Sequence, residues 1–244
     1  MDIQVLFQDD YIVIISKPAG VVVNRAESVK EPTIQDWMEE THRLEIGNDE
    51  SRQAEIQEFT NRSGVVHRLD KETSGVMVLA RNVETFLNLK QQFKKRQTQK
   101  QYIALVHGNM TLREGTVNLP LKRNPFNRRR FTIAVDGKMG RTKYQVSNYF
   151  SRNQELFTLL NLWPKTGRTH QLRVHLSHLG FPIVSDPIYL GKRLSADLTW
   201  CPRLFLHAKS LSFFHPRSGE KVVFESGLAE DLQTCLSILS EVES

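Results

Sequence analysis

Cysteine is scarce in this chain of 244 residues, and the two cysteines, Cys201 and Cys235, form no C-x-x-C pair. This scarcity argues against a disulfide framework or a zinc knuckle, and it fits a reducing compartment. No apolar run approaches the roughly 18 residues that a membrane span needs, and the N-terminus shows no basic segment followed by an apolar one. We therefore expect a cytoplasmic protein with no membrane partner.

Several motifs of common enzyme classes are also missing. The chain has no Walker A loop, and H-R-L-D at residues 67–70 differs in order from the kinase catalytic loop H-R-D-L. H-E-x-x-H is absent, and no acidic or thiol ligand accompanies the nearby histidines His170, His175 and His178. Phosphoryl transfer and metal binding are thereby disfavoured, and packing, capping or RNA contact is the better interpretation of the histidines.

Positive charge, in contrast, is in excess. The chain has 33 Lys and Arg residues against 27 Asp and Glu residues, a formal net charge of +6 that favours an anionic partner such as a nucleic acid. Two basic stretches contribute to it, K-K-R-Q-T-Q-K at 94–100 and K-R-N-P-F-N-R-R-R at 122–130. Such runs are usually solvated faces, and contact with RNA is the alternative.

Short β-rich runs outnumber helical patterns along the chain. The pattern predicts a hairpin at residues 3–16, a buried strand at 75–81, and helices at 33–44 and 167–180. The polar stretch at 46–63 has no clear period and predicts a mobile loop or an insertion.

Strands often follow one another directly, without strict βαβ alternation. This arrangement predicts an α+β fold, with a mixed, mainly antiparallel central sheet and flanking helices. The sequence contains no internal repeat and no low-complexity linker, so we expect residues 1–244 to form a single domain.

The segment H-R-L-D-K-E-T-S-G at residues 67–75 places several charges directly before the predicted buried strand. For an isolated Asp70, a turn-capping carboxylate is the better interpretation, and a catalytic carboxylate presented by a turn at 73–75 is the alternative. Other motifs accompany the segment: K-P-A-G at 17–20, K-Q-Y at 100–102 and G-R-T-H-Q-L-R at 167–173.

In this order and spacing, the motifs resemble those of the RluA-type pseudouridine synthases, over about residues 5–224. The resemblance implies an enzyme that flips one uridine out of a stem-loop of ribosomal or transfer RNA and isomerises it to pseudouridine. It implies neither a metal nor an organic cofactor. The chain starts on the catalytic region, so it is similar to the short members without an S4 RNA-binding domain, and we expect a monomer.

The resemblance also implies roles for single residues. Asp70 matches the essential catalytic aspartate, and Arg173 matches the arginine that pairs with it. Tyr102 matches the aromatic residue that stacks on the uracil, and Arg68 matches the arginine that occupies the space the flipped uridine leaves. A core tyrosine, a surface salt bridge and a solvated helix face are the respective alternatives for Tyr102, Arg68 and Arg173.

Further residues are expected at the edges of the site. Ile183 and Tyr189 lie in the segment that forms the apolar wall of the uracil pocket in the family. Lys165 and Arg168 lie where a glycine turn meets a helix start, which suits phosphate contact. The arginines of the second basic stretch are expected on the RNA backbone: Arg128, Arg129 and Arg130.

Alternatives stay open at this point. The scaffold could serve as a non-catalytic RNA-binding module, or as a hydrolase that uses Asp70 with His67, although the sequence offers no clear oxyanion hole or metal for the latter. In the isomerase, Asp70 could attack C1′, stabilise oxocarbenium character or remove the C2′ proton. The residues do not distinguish these routes, nor do they identify the RNA or the uridine.

Overall fold

A computed structural model describes residues 1–42, 44–46 and 50–242. The chain folds into two compact units, residues 1–99 with 210–227 and residues 100–209 with 228–244. The helices are α1 (Ile34–Thr41), α2 (Gln53–Arg62), α3 (Val83–Lys95), α4 (Gln171–His178), α5 (Leu194–Asp197) and α6 (Glu230–Ser237). The strands are β1 (Gln4–Gln8), β2 (Ile12–Lys17), β3 (Ser74–Ala80), β4 (Gln99–His107), β5 (Glu114–Arg123), β6 (Phe131–Ile133), β7 (Lys138–Arg152), β8 (Glu155–Pro164), β9 (Leu206–Phe214), β10 (Lys221–Glu225) and β11 (Ser240–Val242).

In the first unit, β2 pairs antiparallel with β1 on one side and β3 on the other, and β10 pairs antiparallel with residues 210–214 of β9. The predicted N-terminal hairpin is confirmed, and its turn is closed by Asp9, whose Oδ1 accepts the backbone N–H groups of Tyr11 and Ile12 at 2.8 Å each. Every residue of β3 is buried, which confirms the predicted buried strand and explains why its sequence shows no polar alternation.

Helix α1 confirms the helix predicted at 33–44, and it ends at Thr41. Thr33 caps it, since the Thr33 hydroxyl accepts the Asp36 N–H at 3.3 Å and the Asp36 carboxylate accepts the Thr33 N–H at 2.7 Å. This reciprocal capping box satisfies two backbone donors that a helix start leaves open.

The loop predicted at 46–63 is wrong over residues 53–62, which form α2, and residues 47–49 lie outside the described part of the chain. Helix α2 has a single buried residue, Phe59, whose ring packs against Phe86 of α3 at 5.7 Å. A helix with one buried side chain produces no apolar period in the sequence, so tertiary packing and good helix formers decide its structure.

In the second unit, the strand order is β4-β8-β7-β5-β6, and β11 also pairs with β7. Each of these pairs is antiparallel. The hydrophobic core of this unit includes Leu105 of β4, Leu160 of β8, Leu176 of α4 and Leu232 of α6. Helix α4 confirms the helix predicted within residues 167–180.

The α+β class is confirmed, with antiparallel strand pairs in both units and helices packed beside them. Within the described part of the chain, no helix is both long and apolar enough to cross a membrane.

Gly64, two residues after the end of α2, approaches the backbone of β3 closely. Its φ is +76°, and a Cβ at this position would lie 2.0 Å from the carbonyl oxygen of Ala80. The Ala80 N–H donates to the Gly64 carbonyl at 2.9 Å, and the next residue, Val65, bridges Leu79. Glycine is therefore required where the segment leading to Asp70 joins β3.

Replacing Gly64 by alanine should destabilise the fold more than the same change at Gly20. Gly20 also has a positive φ, +83°, but a Cβ there meets nothing within 4 Å. Gly20→Ala should lower the free energy of unfolding by about 1–2 kcal/mol, from backbone strain alone. Gly64→Ala adds a backbone clash and should lower it by at least about 3 kcal/mol. Urea denaturation measures both, and equal losses would contradict the close approach.

Candidate active site

The segment before Asp70 is held against β3 through a histidine. The backbone N–H of Val78 donates to Nε2 of His67 at 3.1 Å, and the His67 ring stacks on Phe93 with centroids 4.7 Å apart. Because Nε2 accepts a hydrogen bond from the main chain, it is not available as a general base. This geometry removes support for a hydrolase that would use Nε2 of His67 with Asp70.

Asp70 is half-buried and lies at the first position of a turn, where its carbonyl oxygen accepts the N–H of Thr73 at 3.1 Å. The sequence predicts the turn at residues 73–75, but Ser74 already begins β3. Gly75, with φ +119°, lies within the strand and pairs with Lys17 of β2. The turn therefore begins with the aspartate itself rather than after it.

Lys17 of the K-P-A-G motif is fully buried and connects this turn to the neighbouring loop. Its ammonium group donates to the carbonyl oxygens of Pro18 at 2.7 Å, Val21 at 2.8 Å and Lys71 at 3.1 Å. Three carbonyl acceptors match the three N–H donors of an ammonium group, which makes burial of this charge tolerable. The residue after Asp70 is thereby held by a buried cation.

Arg68 is exposed, whereas its neighbour Leu69 is buried. No salt bridge joins Arg68 to any residue that the structure describes. The surface salt bridge considered for Arg68 is thus not found there, and contact with RNA stays the prediction.

In the second unit, Arg173 forms a buried ion pair with Asp186, and their side chains are 3% and 0% exposed. Nε of Arg173 donates to Oδ2 at 2.8 Å, and Nη2 donates to Oδ1 at 2.7 Å. Oδ1 also accepts the backbone N–H groups of Ile188 at 2.8 Å and Tyr189 at 3.0 Å. Arg173 is therefore not on a solvated helix face, and its pairing with Asp70 stays a prediction.

Three polar side chains at alternate positions of helix α4 are buried: Gln171, Arg173 and His175. Each of them has hydrogen-bond partners. Gln171 Nε2 donates to the Arg141 carbonyl at 3.1 Å, and Nδ1 of His175 lies 3.0 Å from Oγ1 of Thr142. Burial lowers the pKa of His175, so this imidazole stays neutral near pH 7. His175 is a packing residue, one of the roles considered for the three histidines.

Tyr189 is the centre of a polar and aromatic cluster. The guanidinium groups of Arg130 and Arg173 each lie 5.3 Å from the centroid of its ring. Its hydroxyl oxygen accepts the backbone N–H of Phe131 at 2.8 Å and lies 2.9 Å from Nδ1 of His170. Burial raises the pKa of Tyr189, so the hydroxyl remains protonated near neutral pH.

This cluster, which we call the Tyr189 cluster, contains three residues that the sequence predicts, Arg130, Arg173 and Tyr189. It also contains three that we did not single out for a role in it: Phe131, His170 and Asp186. The sequence does contain a signal for Asp186: it is an acidic residue beside an apolar segment, three positions before Tyr189. The guanidinium of Arg130 lies over the Tyr189 ring, yet the residue is exposed like Arg128 and Arg129. Contact of these three arginines with the RNA backbone stays a prediction.

Tyr102 lies on β4 opposite Leu162 of β8, and it packs half-buried against the core of the second unit. This placement fits the alternative of a core tyrosine for the buried part of its ring. Stacking of Tyr102 on uracil stays a prediction.

Lys100, two residues before Tyr102, is a residue to which the sequence assigned no role. Its Nζ lies against Gly167, 3.5 Å from where a Cβ would be, and burial lowers the pKa of its amine to about 8.

Lys165 and Arg168 are exposed on the segment that leads into α4, as phosphate contact requires. The backbone N–H of Arg168 is already bound by Oε1 of Gln171 at 3.1 Å, so only the side chain can serve a phosphate. Ile183 is fully buried and forms an isolated β-bridge with Val106 of β4. Its position therefore supports a packing role for Ile183 rather than direct contact with a base.

Among the residues described, no group of three His, Cys, Asp or Glu side chains could hold a metal ion.

Comparison with known proteins shows which family the chain belongs to. The family described as RNA pseudouridylate synthase matches residues 11–178, which include H-R-L-D, K-Q-Y and G-R-T-H-Q-L-R. The chain belongs to this family. The resemblance to RluA-type pseudouridine synthases that the motifs indicated is thereby confirmed.

Relatives of the pseudouridylate synthase family align with nearly the whole chain. Ribosomal large subunit pseudouridine synthase D of Nitrosomonas europaea is 35% identical over 243 residues, which are 97% of this chain and 65% of that protein. The protein of the same name from Xanthomonas campestris pv. campestris is 37% identical over 248 residues, 98% of this chain and 70% of that protein. The chain thus spans about two thirds of the length of these relatives.

A solved human structure, RNA Pseudouridylate Synthase Domain Containing 1, has the same fold. The TM-score is 0.72 with 24% sequence identity, and the match covers 100% of this chain and 91% of that one.

Removing the carboxylate of Asp186, the acidic partner of Arg173, should destabilise the protein strongly. Asp186→Ala removes the carboxylate that binds a buried guanidinium through two hydrogen bonds, and the free energy of unfolding should fall by about 3–5 kcal/mol. The matched control is Glu114→Ala, which breaks the exposed pair with Lys143 and should change it by about 1 kcal/mol or less. Urea denaturation measures both variants, and similar losses would show that the buried pair contributes no more than a surface pair.

The amine of Lys100 should make stability depend on pH above neutrality. Its pKa is about 8 in the fold, against 10.5 ordinarily, so between these values the unfolded chain binds more protons and stability rises with pH. Lys100→Met removes this penalty and should be more stable than wild type below pH 8, by roughly 1–3 kcal/mol.

That advantage should shrink as the pH rises from 8 to 10.5, because the native amine is already neutral and the unfolded one loses its proton there. Urea denaturation at several pH values gives the difference between the two proteins. Exposed Lys192→Met is the control and should show no such trend. A difference between Lys100→Met and wild type that stays constant with pH would contradict the lowered pKa.

Proposed function

We propose that the chain isomerises uridine to pseudouridine in RNA, with Asp70 as the catalytic carboxylate. The observation that carries the proposal is the family match over residues 11–178, because it includes the motifs of Asp70, Tyr102 and Arg173. The net charge of +6 supports a polyanionic substrate.

The proposed reaction rearranges one nucleotide without adding or removing a group. The N1–C1′ bond breaks, the uracil turns, and C5 bonds to C1′; the proton of C5 passes to solvent and N1 gains one. A carboxylate beside C1′ serves each of the three routes, as nucleophile, as a stabiliser of positive charge or as the base at C2′. The hydrogen-bonded turn that begins at Asp70 supports this role, and so does buried Lys17, which binds the carbonyl of the following residue, Lys71. A catalytic group must be held in a fixed geometry.

A uridine in a stem-loop has to leave its stack before such a carboxylate can reach C1′. We propose that Arg68, two residues before Asp70, occupies the vacated space, and its exposure supports this role. We propose that Tyr102 stacks on the extruded uracil and that Arg173 pairs with Asp70. The substrates we propose are ribosomal RNA first, from the names of the relatives, and transfer RNA second.

Replacing Asp70 tests the proposal directly. Asp70→Asn and Asp70→Ala should each lower the release of tritium from RNA labelled at C5 of uridine by at least about 10³-fold, since the essential carboxylate is removed. Asp10→Asn, an isosteric change of an exposed aspartate on the β1–β2 turn, should release tritium like wild type. Carbodiimide sequencing of RNA from cells with and without the gene then identifies the uridine.

Other outcomes point to the other functions. Full activity of both Asp70 variants would refute the role of Asp70, and release of free uracil would indicate a hydrolase. RNA binding by a wild-type protein that releases no tritium and forms no stable adduct with 5-fluorouridine RNA would indicate a binding module.

A further inference from the structure

A single exposed phenylalanine stands out on the surface of the second unit. Phe126 is 97% exposed and lies in the connection between β5 and β6, residues 124–130, which we call the hairpin tip. Five Lys and Arg residues and no Asp or Glu occur in the surrounding stretch 122–130. Single exposed apolar side chains are common on protein surfaces, and it is the dense positive charge around Phe126 that makes it a candidate contact.

The hairpin tip is ordered by its own hydrogen bonds. Oδ1 of Asn124 accepts the backbone N–H groups of Phe126 at 2.9 Å and Asn127 at 3.0 Å, and Oδ1 of Asn127 accepts that of Arg129 at 3.1 Å. These side-chain turns fix the backbone that carries Phe126. A partner would therefore bind a preformed surface, with little loss of conformational entropy.

The base of the hairpin is attached to the Tyr189 cluster. The guanidinium of Arg123 lies 5.1 Å from the ring centroid of Phe131, and the Phe131 N–H donates to the hydroxyl of Tyr189. At about 3.3 Å per extended residue, Phe126 lies at most about 10 Å beyond the pair of Arg123 and Phe131. The exposed ring is thus carried on a short arm that starts at the cluster containing Arg173.

The chemistry of the hairpin tip defines its partner. Phe126 offers a flat apolar face, and Arg128 and Arg129 beside it are exposed cations with no salt bridge to any described residue. A ligand that matches both must present a flat ring next to negative charge, and an unpaired nucleotide does so with its base and its phosphate. An acidic protein surface would match the charge but supplies no regular stack of flat rings.

We propose that Phe126 stacks on an unpaired base of the RNA outside the candidate active site, while Arg128 and Arg129 contact the adjoining phosphates. The choice of RNA as ligand rests on the proposed function. The proposal makes the hairpin tip a second recognition point, which favours RNA with a loop or bulge over fully paired RNA.

The test measures binding, not turnover. The probes are an RNA hairpin with 2-aminopurine in its unpaired loop and a fully paired RNA duplex of the same composition. Phe126→Ala should weaken binding of the hairpin by roughly 5- to 100-fold and abolish the stacking quench of 2-aminopurine, with duplex binding unchanged. Phe126→Trp should restore both, because the flat ring is the recognising group.

Salt dependence separates stacking from charge. Phe126→Ala should leave the slope of log K against log salt unchanged, whereas Arg129→Gln should reduce it by about 0.7–0.9. The control for exposed apolar surface is Leu112→Ala, because Leu112 is 72% exposed before the opposite end of β5. Leu112→Ala should bind both probes like wild type, and thermal unfolding of all variants should match wild type.

The outcomes distinguish this inference from the proposed function. Wild-type affinity of Phe126→Ala for the hairpin overturns the inference, and so does an equal loss for hairpin and duplex. If Phe126→Ala loses the hairpin while wild type releases no tritium from labelled RNA, the inference stands and the proposed function fails. If wild type binds neither probe, the inference is overturned on its own evidence, whatever the tritium assay shows.

Discussion

The ion pair between Arg173 and Asp186 is the contact on which the arrangement of the second unit depends. A guanidinium of this kind cannot shed its proton, so burying it requires a carboxylate in bidentate geometry. Asp186 provides both oxygens and also accepts two backbone N–H groups of the segment that ends at Tyr189. One buried charge therefore sets the orientation of α4, of the turn after it and of the tyrosine ring.

Several further contacts follow from the position of that ring. Tyr189 receives Arg130 over its ring and Phe131 at its hydroxyl, so the β5–β6 hairpin is attached to the same cluster as α4. The hairpin extends outward from this attachment and carries the exposed Phe126. A buried ion pair, an aromatic ring and an exposed basic arm thus form one connected structure.

Lys17 has a comparable part in the first unit. It too is a charged residue of a short motif, and it too is buried, with carbonyl oxygens as its partners. In both units the charged residue holds a loop that carries a motif residue, Asp70 in one and Tyr189 in the other. Charges that would be assigned to a solvated surface from composition alone here fix backbone geometry.

The elements with a strong sequence pattern were predicted correctly. The apolar run of β3 and the helical period of α1 are local signals, and they require no knowledge of distant residues. Helix α2 was missed because only Phe59 is buried in it, and that contact is with Phe86, in another helix. The turn at Asp70 was misplaced because Gly75 takes its positive φ inside a strand.

The sequence by itself determined the class of fold, the family and the identity of the motif residues, because these are properties of local pattern and of motif order. The tertiary structure alone decided which side chains meet. The packing of strands and helices makes Asp186 the partner of Arg173 and places Arg130 over the ring of Tyr189. It also leaves the ring of Phe126 exposed. Residue type limits what a side chain can bind, but only its surroundings in the folded chain determine which partner it has.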